Sequence, residues 1–278
     1  MKKNIRIIGI LLFAGFSFFY TEKVTKIIKK KDPIMIKLNE VKNDSYISAI
    51  KPIIENDEYT TGINGCEIDI NKSYDKMPTI KEYNEDLIVM KEVINKNNLN
   101  DKYIVGANKI QKKVSLIFII KDEISDHLVN FLLSKKINGN FFVNLDYLED
   151  NTQIIKLISN NNNFYFLVNN KYDDNYILYA NNLIEMNSNN SSNYCFTDKK
   201  DDKLLKLCSK NNMKTIKTDI ITDNILSNIE NKLSNGSIIA IESNDIEKIK
   251  ISINYILSKG YDIVRLEDLL NESNNCNK

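Results

Sequence analysis

Val114-Ser115-Leu116-Ile117-Phe118-Ile119-Ile120 is a continuous run without charge, apolar but for Ser115, and it decides the fold class. A strand wet on one face alternates polar and apolar residues, whereas a continuous run of this length marks a strand buried on both faces, as in a parallel sheet. A helical pattern carrying His127, Leu128, Phe131 and Leu132 follows, then a second strand, Gly139-Asn140-Phe141-Phe142-Val143. The same alternation continues with a helix around Ile154 to Ile158, a strand Phe164 to Val168, a helix around Tyr176 to Ile184 and a strand Tyr194 to Phe196. It runs on through a helix Lys203 to Ser209, a strand Lys214 to Ile216, a helix Ile225 to Leu233 and a strand Ser237 to Ile241. A helix Ile246 to Leu257 and a strand Ile263 to Arg265 complete it. Strands alternating with helices predict an α/β fold with a parallel sheet. Seven strands in residues 111–271 predict a small, irregular seven-stranded (β/α) barrel rather than an eight-fold one.

Outward from this domain, residues 32–110 read as a small α+β region. Its strand-like pieces are Pro33 to Leu38, Tyr46 to Ile50, the alternation after Gly65 and Tyr103 to Gly106; Ile80, Tyr83, Leu87 and Met90 stand at helical spacing. Residues 272–278 read as a disordered polar tail. At the other end, three positive charges in residues 1–6 precede the uncharged run Ile7 to Tyr20, and lysine-rich residues 21–31 follow. That run is short for a spanning helix and fits a signal segment, yet no small-x-small cleavage site follows it. An uncleaved signal anchor, with residues 1–31 as membrane helix and stalk and the rest extracytoplasmic, is the leading expectation. A cleaved, secreted form and a buried core helix are the alternatives. The lysines after the run oppose this orientation, although a long exported domain overrides loop charge. Lys29, Lys30 and Lys31 read either as a contact for anionic head groups or as a solvated stalk.

The chain has 278 residues, 42% hydrophobic and 27% charged, enough to bury a substantial core. Its 38 Lys and Arg against 37 Asp and Glu leave a net charge of +1, which gives no global field for nucleic acid. With 1 His and no Trp, chemistry built on several histidines is excluded. Asparagine is abundant throughout, so a polar run alone carries no functional weight. Among the four cysteines, Cys66 and Cys276 are isolated, while Cys195 and Cys208 could pair in an exported domain or stand as two small buried thiols. The absence of any C-x-x-C spacing argues against a structural zinc site.

Four motifs in order carry a resemblance. Lys112 to Ile120 looks like the opening strand of the polysaccharide deacetylases, the family 4 carbohydrate esterases. Phe131 to Val143 (FLLSKKINGNFFV) is similar to their helix and second strand, L-L-x-K-x-x-x-x-A-T-F-F-V. Asn235 to Ile241 resembles the G-S-I-I-L-L strand, and Lys259 to Leu270 (KGYDIVRLEDLL) resembles the K-G-Y-x-x-V-x-L-x-x-L finish. The stretch Gly62 to Met77 is similar to a segment that precedes such domains. The resemblance implies hydrolysis of N-acetyl groups on polysaccharide by a water activated on a divalent metal such as zinc. Its residues do not carry over. The T-F-D-D carboxylates fall on Ile119 and Ile120, the H-x-x-x-H pair on Val168 to Tyr172, the R-x-P-Y segment near Tyr194 to Thr197, and the late histidine on Glu242. A metal-activated water needs about three protein ligands, so the catalytic set reads as lost, with no catalytic residue, metal or cofactor expected. Two branched apolar side chains in place of two carboxylates predict that Ile119 and Ile120 plug the old site.

Ligands of such barrels bind where the strands end. The polar residues predicted there, and so the candidate glycan-binding set, are Lys121, Asp122, Asn144, Asn169, Asn170, Thr197, Asp198, Asp219, Glu242 and Asn244, with Tyr147, Phe166 and Tyr172 as candidate aromatic walls. Asp122, Glu123, Asp126 and His127 have metal-ligand spacing on a helix, but acidic residues and Ser125 at a helix start also serve as cap and dipole partners. Glu242 with Asp219 is a conceivable acid/base pair for glycoside hydrolysis. Three readings follow: an inactive deacetylase-like protein that binds or organises cell-envelope glycan, a divergent deacetylase, and an interaction scaffold for a partner envelope enzyme. The first needs an open polar groove with aromatic walls, the second a metal or carboxylate pair at the strand ends, and the third an exposed apolar patch elsewhere.

Overall fold

The structure, a computed structural model, describes residues 2–77, 82–95, 99–168, 173–188, 190–218, 220–222 and 225–276. It divides into two units: residues 1–49, 64–94 and 273–278, and residues 50–63 and 95–272. Three short strands from residues 50–110, described below, pair within the second unit.

The first unit begins with α1 (Lys2–Lys31), a single helix through the expected anchor and stalk. Among the described residues no helix is long and apolar enough to cross a membrane. The apolar run lies partly outside that statement, since the side chains of residues 2–14, 18 and 19 are not among those described. Next comes α2 (Pro33–Val41), where a strand was expected. Asp32 caps it by accepting the Ile34 N–H at 2.8 Å, Pro33 suits the first turn, and Ile34 and Leu38, four apart, are buried together. Apolar spacing in so short a run fits either element, and the Asp-Pro start settles it.

Two further strands, β1 (Ile53–Glu55) and β2 (Glu58–Thr60), belong to the second unit. The first unit resumes with β3 (Gly65–Ile68), α3 (Ile70–Lys76) and β4 (Met90–Val93), with β3 and β4 antiparallel. The helix expected through Ile80 to Met90 is corrected: Ile80 lies outside the described residues, Glu85–Leu87 form one 3-10 turn, and Met90 opens β4. The tail expected to be disordered is also corrected as far as residue 276. Cys276 is disulfide-bonded to Cys66, and Asn274 donates its N–H to Glu92 Oε1 at 2.5 Å and its Nδ2 to the Asn64 carbonyl at 3.1 Å.

In the second unit β5 (Tyr103–Gly106) precedes the deciding strand, β6 (Lys113–Ile120). There follow α4 (Asp126–Ser134), β7 (Asn140–Val143), α5 (Leu145–Asp150), α6 (Thr152–Ile158), β8 (Asn163–Phe166) and α7 (Asp174–Ser188). Then come β9 (Tyr194–Thr197), α8 (Asp202–Lys210), β10 (Lys214–Lys217), β11 (Ile221–Thr222), α9 (Ile225–Lys232), β12 (Ile238–Ile241), α10 (Ile246–Ser258), β13 (Asp262–Ile263) and α11 (Leu266–Leu270). All seven expected strands are present, and β6 is parallel to β7, β12 and β13. Their hydrogen bonding is in two sheets rather than one closed cycle: β11-β12-β6-β7-β8 with β13 on β6, and β1-β2-β5-β10-β9. The second sheet is completed by β1, β2 and β5, which had been assigned to the preceding region.

The side chains of β6 alternate between two apolar layers. Leu116, Phe118 and Ile120 pack with Leu128, Ile241, Ile249 and Ile253 on the helical side, while Ile117 and Ile119 pack with Phe142, Tyr165, Phe196, Ile216 and Ala240 on the other. Both faces are thus buried, as the unbroken run demanded, at about 1.5–3 kcal/mol for each large side chain. Buried Asn140 locks the layers in register: its Nδ2 donates to the Leu116 carbonyl at 2.8 Å and to Ser115 Oγ at 3.2 Å, and its Oδ1 accepts the Leu266 N–H at 3.1 Å.

Candidate functional site

Parallel strands that start together also end together, and the loops leaving β6, β7, β8, β9 and β12 converge on a pocket of about 830 Å³. Ile119, Leu167, Val168, Phe196 and Leu204 give it apolar surface; Lys121, Asn144, Tyr176, Thr197, Asp198, Lys199, Asp201 and Glu242 supply the rest. Six residues singled out from the sequence therefore meet here: Ile119, Lys121, Asn144, Thr197, Asp198 and Glu242.

Each polar group has a local cause. Strand parity puts Lys121 on the Ile119 face and Glu242 on the Ala240 face, and their side chains pair at 3.4 Å. Asn144 caps α5, accepting the Tyr147 N–H at 2.8 Å. Thr197 donates its hydroxyl to the Lys199 carbonyl at 2.6 Å, folding the chain back after β9. Asp201 caps α8 through the Leu204 N–H at 3.0 Å. Tyr176 stands in the first turn of α7, where its N–H donates to Asp173 Oδ1 at 2.9 Å and its ring packs edge-on against Phe166, 5.5 Å between centroids. Burial pushes the Tyr176 hydroxyl above the usual tyrosine range, and the nearby Asp146 and Glu149 carboxylates add to that push.

Other candidates fall elsewhere. Asp122 is exposed and does not line the pocket. Asn244 and Glu123 line a separate cavity of about 160 Å³, with Ile120, Phe118, Leu128 and Ile249. Asn169, Asn170, Tyr172 and Asp219 lie outside the described residues, so the Glu242–Asp219 pair does too. Cys195 and Cys208 are joined in a disulfide.

The expected double plug is corrected by strand parity. Adjacent residues point to opposite faces, so Ile119 lines the open pocket and Ile120 enters the helical layer beside the smaller cavity. Tyr147 and Phe166 are buried in the core rather than forming walls. The aromatic surface comes from Tyr176 and Phe196, both missed in the sequence; Phe196 could have been found from its parity within β9, Tyr176 from its place after the Asp173 cap.

Among the described residues, those at the strand ends do not fit a divalent metal of the kind the resemblance implies. Where the resemblance implies a base and a ligating carboxylate stand Ile119 and Ile120, and Glu242 is engaged by Lys121. His127 is exposed on α4, its N–H donating to the Ser125 cap. Among the described residues no group of three or more His, Cys, Asp or Glu side chains converges as a metal site requires.

No family model matches the chain, and no curated protein matches it. Solved structures do. A mutant of BA3943, described as a CE4 family pseudoenzyme, is similar at 18% identity over 87% of this chain and 99% of that one, with a TM-score of 0.63. Wild-type BA3943 from Bacillus anthracis is similar at 19% identity over 87% and 96%, with a TM-score of 0.61. The Bc1960 peptidoglycan N-acetylglucosamine deacetylase is similar at 15% identity over 62% and 95%, with a TM-score of 0.55. The share of this chain matched by BA3943 is more than residues 111–271 can supply, so that likeness reaches into the N-terminal region. At these identities the likeness establishes the fold alone: the chain has an α/β fold similar to that of the CE4 polysaccharide deacetylases.

Proposed function

We propose that this protein binds cell-envelope glycan in the pocket at the strand ends without performing the metal-dependent deacetylation of its fold relatives. The pocket itself carries the reading: an open volume of about 830 Å³ combining apolar surface, an aromatic wall at Tyr176 and Phe196, and hydroxyl, amide and charged groups. Sugars offer an apolar ring face beside hydroxyls, which is the pattern such a lining complements. The apolar pair at Ile119 and Ile120 supports loss of hydrolysis, and so does the likeness to a protein described as a pseudoenzyme. The two sheets are read as parts of one irregular barrel, an interpretation supported by the short interval between β10 and β11 and by the Thr218 hydroxyl, which donates to the Ile238 carbonyl at 2.6 Å.

The reading includes export and anchoring through the basic-apolar N-terminal segment, with the main domain extracytoplasmic. Its support is the sequence of residues 1–31 together with two disulfides, which persist in oxidising compartments. Titration calorimetry of the full chain in detergent with a β-1,4 tetramer of N-acetylglucosamine, and with its deacetylated counterpart, tests the binding. Tyr176→Ala is expected to weaken binding by about tenfold, the scale of one stacking contact. No heat from either sugar would end the reading. Tight binding of one zinc, cobalt or manganese per chain, with acetate release, would put the divergent deacetylase in its place.

A further inference from the structure

The smaller cavity, of about 160 Å³, lies between the ends of β6 and β12 on one side and α4 and α10 on the other. Native cores hold few voids larger than a water molecule, so a space of this size is an exception that an occupant would explain. Its depth is apolar: Phe118, Ile120, Leu128, Ile241 and Ile249 line it and are buried, and Ile246 is half-buried. The polar lining residues, Glu123, Ser125, Ser243 and Asn244, all come from the turns that leave β6 and β12, which gathers them at one end. The two strand backbones are paired with each other, Ile241 opposite Phe118. The depth therefore lacks the several polar partners that a buried water needs.

We propose that this cavity binds a small uncharged molecule with an apolar body of about six carbons, ring or chain, and an oxygen acceptor at one end. The size follows from the volume, since an apolar cavity of about 150 Å³ takes a benzene ring. The acceptor follows from two serines. Ser125 Oγ accepts the His127 N–H at 3.2 Å and Ser243 Oγ accepts the Asp245 N–H at 3.1 Å, and among the described residues neither hydroxyl donates its own proton. Both O–H groups are left to meet a ligand oxygen where the apolar depth ends. The rest of the lining selects against charge. Glu123 is the one charged lining residue and has no ion-pair partner among the described residues, so an anionic head would meet a carboxylate with no cation to offset it. It is also exposed and hydrated, a setting in which a cationic head gains little. An ionised group of either sign carried inward would lose its hydration among side chains that cannot replace it.

The test uses the full chain in detergent with isotope-labelled isoleucine and leucine methyls, dialysed against benzyl alcohol at fixed free concentrations. Saturable methyl shifts are expected at Ile120, Leu128, Ile241, Ile246 and Ile249, and not across the layer that holds Ile117 and Ile216. Benzoate and benzylamine are each expected to bind at least about tenfold more weakly. Ile246→Phe places a ring in the same space and is expected to weaken benzyl alcohol by about tenfold or more. Replacing both serines, Ser125→Ala with Ser243→Ala, is expected to weaken benzyl alcohol and leave toluene unchanged. No saturable shift, or shifts spread evenly through both apolar layers, overturns the inference. So does binding of either ion as tight as that of the alcohol, undiminished binding to folded Ile246→Phe, or an equal loss of alcohol and toluene in the serine variant. If a variant does not fold, the shift map of the parent and its comparison of alcohol with the two ions still decide. No sugar enters the measurement, so its result is independent of the glycan reading.

Discussion

Ile119 and Ile120 are neighbours in the chain, yet they answer to different physics. Each is nearly buried, but Ile119 borders the large pocket and Ile120 packs under α4 and α10. A carboxylate at 120 would be taken out of water among apolar side chains, whereas one at 119 has the pocket and Lys121 within its surroundings. Ile120→Asp is therefore expected to cost about 3 kcal/mol or more and Ile119→Asp about 1–2 kcal/mol, read from urea unfolding midpoints. Equal costs would refute the assignment of the two faces. A second residue-level case is Glu267, whose carboxyl is held above the usual range by burial, with Asp268 adding to the rise. Nearby, burial and the Glu267 charge push the Tyr194 hydroxyl up to about 12. The folded state thus favours protonated Glu267, so its contribution to stability is fully present below the unfolded value and falls as pH rises through the raised one. Glu267→Gln, which keeps the uncharged shape, is expected to flatten the decline in stability between pH 4.5 and 7 and to match or exceed the parent at neutral pH. An unchanged slope in urea midpoints across that range would sink this account.

Among the described residues, Asn140 is a polar clamp that joins β7 to β6 and α11. Its three hydrogen bonds reach β6 twice and the start of α11 once, all in a buried setting. Asn140→Ala would strand the Leu266 N–H and leave Ser115 and the Leu116 carbonyl short of a donor. The expected loss is about 2–4 kcal/mol by equilibrium unfolding, with amide exchange rising first along Leu266–Leu270; a loss under about 0.5 kcal/mol, the size of an ordinary surface change, would show the clamp to be idle. The elements themselves were legible in the sequence wherever the apolar pattern was long. The unbroken run of β6 and the helix–strand alternation after it needed no tertiary information. Where patterns were short they misled: Pro33 to Leu38 reads as strand or helix equally well, and the capping Asp32 with Pro33 was the stronger signal. The pocket was half legible, because strand ends are visible in sequence while the parity that separates Ile119 from Ile120, or selects Phe196, becomes visible only once each strand's boundaries are known.

At the scale of the whole molecule, the two units are interleaved along the chain, and no local signal announces that. Residues 50–63 leave one unit to supply β1 and β2 to the other, and residues 273–276 return to the first after the last helix. The return is secured by Cys66–Cys276, a bond across 210 positions that spacing rules cannot foresee, whereas Cys195–Cys208, 13 apart, was within reach of them. The first unit has a small core, chiefly Ile34, Leu38, Ile68 and Met77, so it leans on covalent closure more than the second unit does. Removing a bond that closes so long a loop costs about 2–5 kcal/mol in chain-entropy terms. Cys276→Ser is therefore expected to lower the unfolding temperature of the first unit and to raise amide exchange along Gly65–Ile68 and Met90–Val93. The parallel strands of the second unit, with their own core and their own disulfide, are expected to keep their protection. Uniform loss of protection through β6, β7 and β12 would mean that the molecule unfolds as one cooperative body and that its two units have no separate energetic identity.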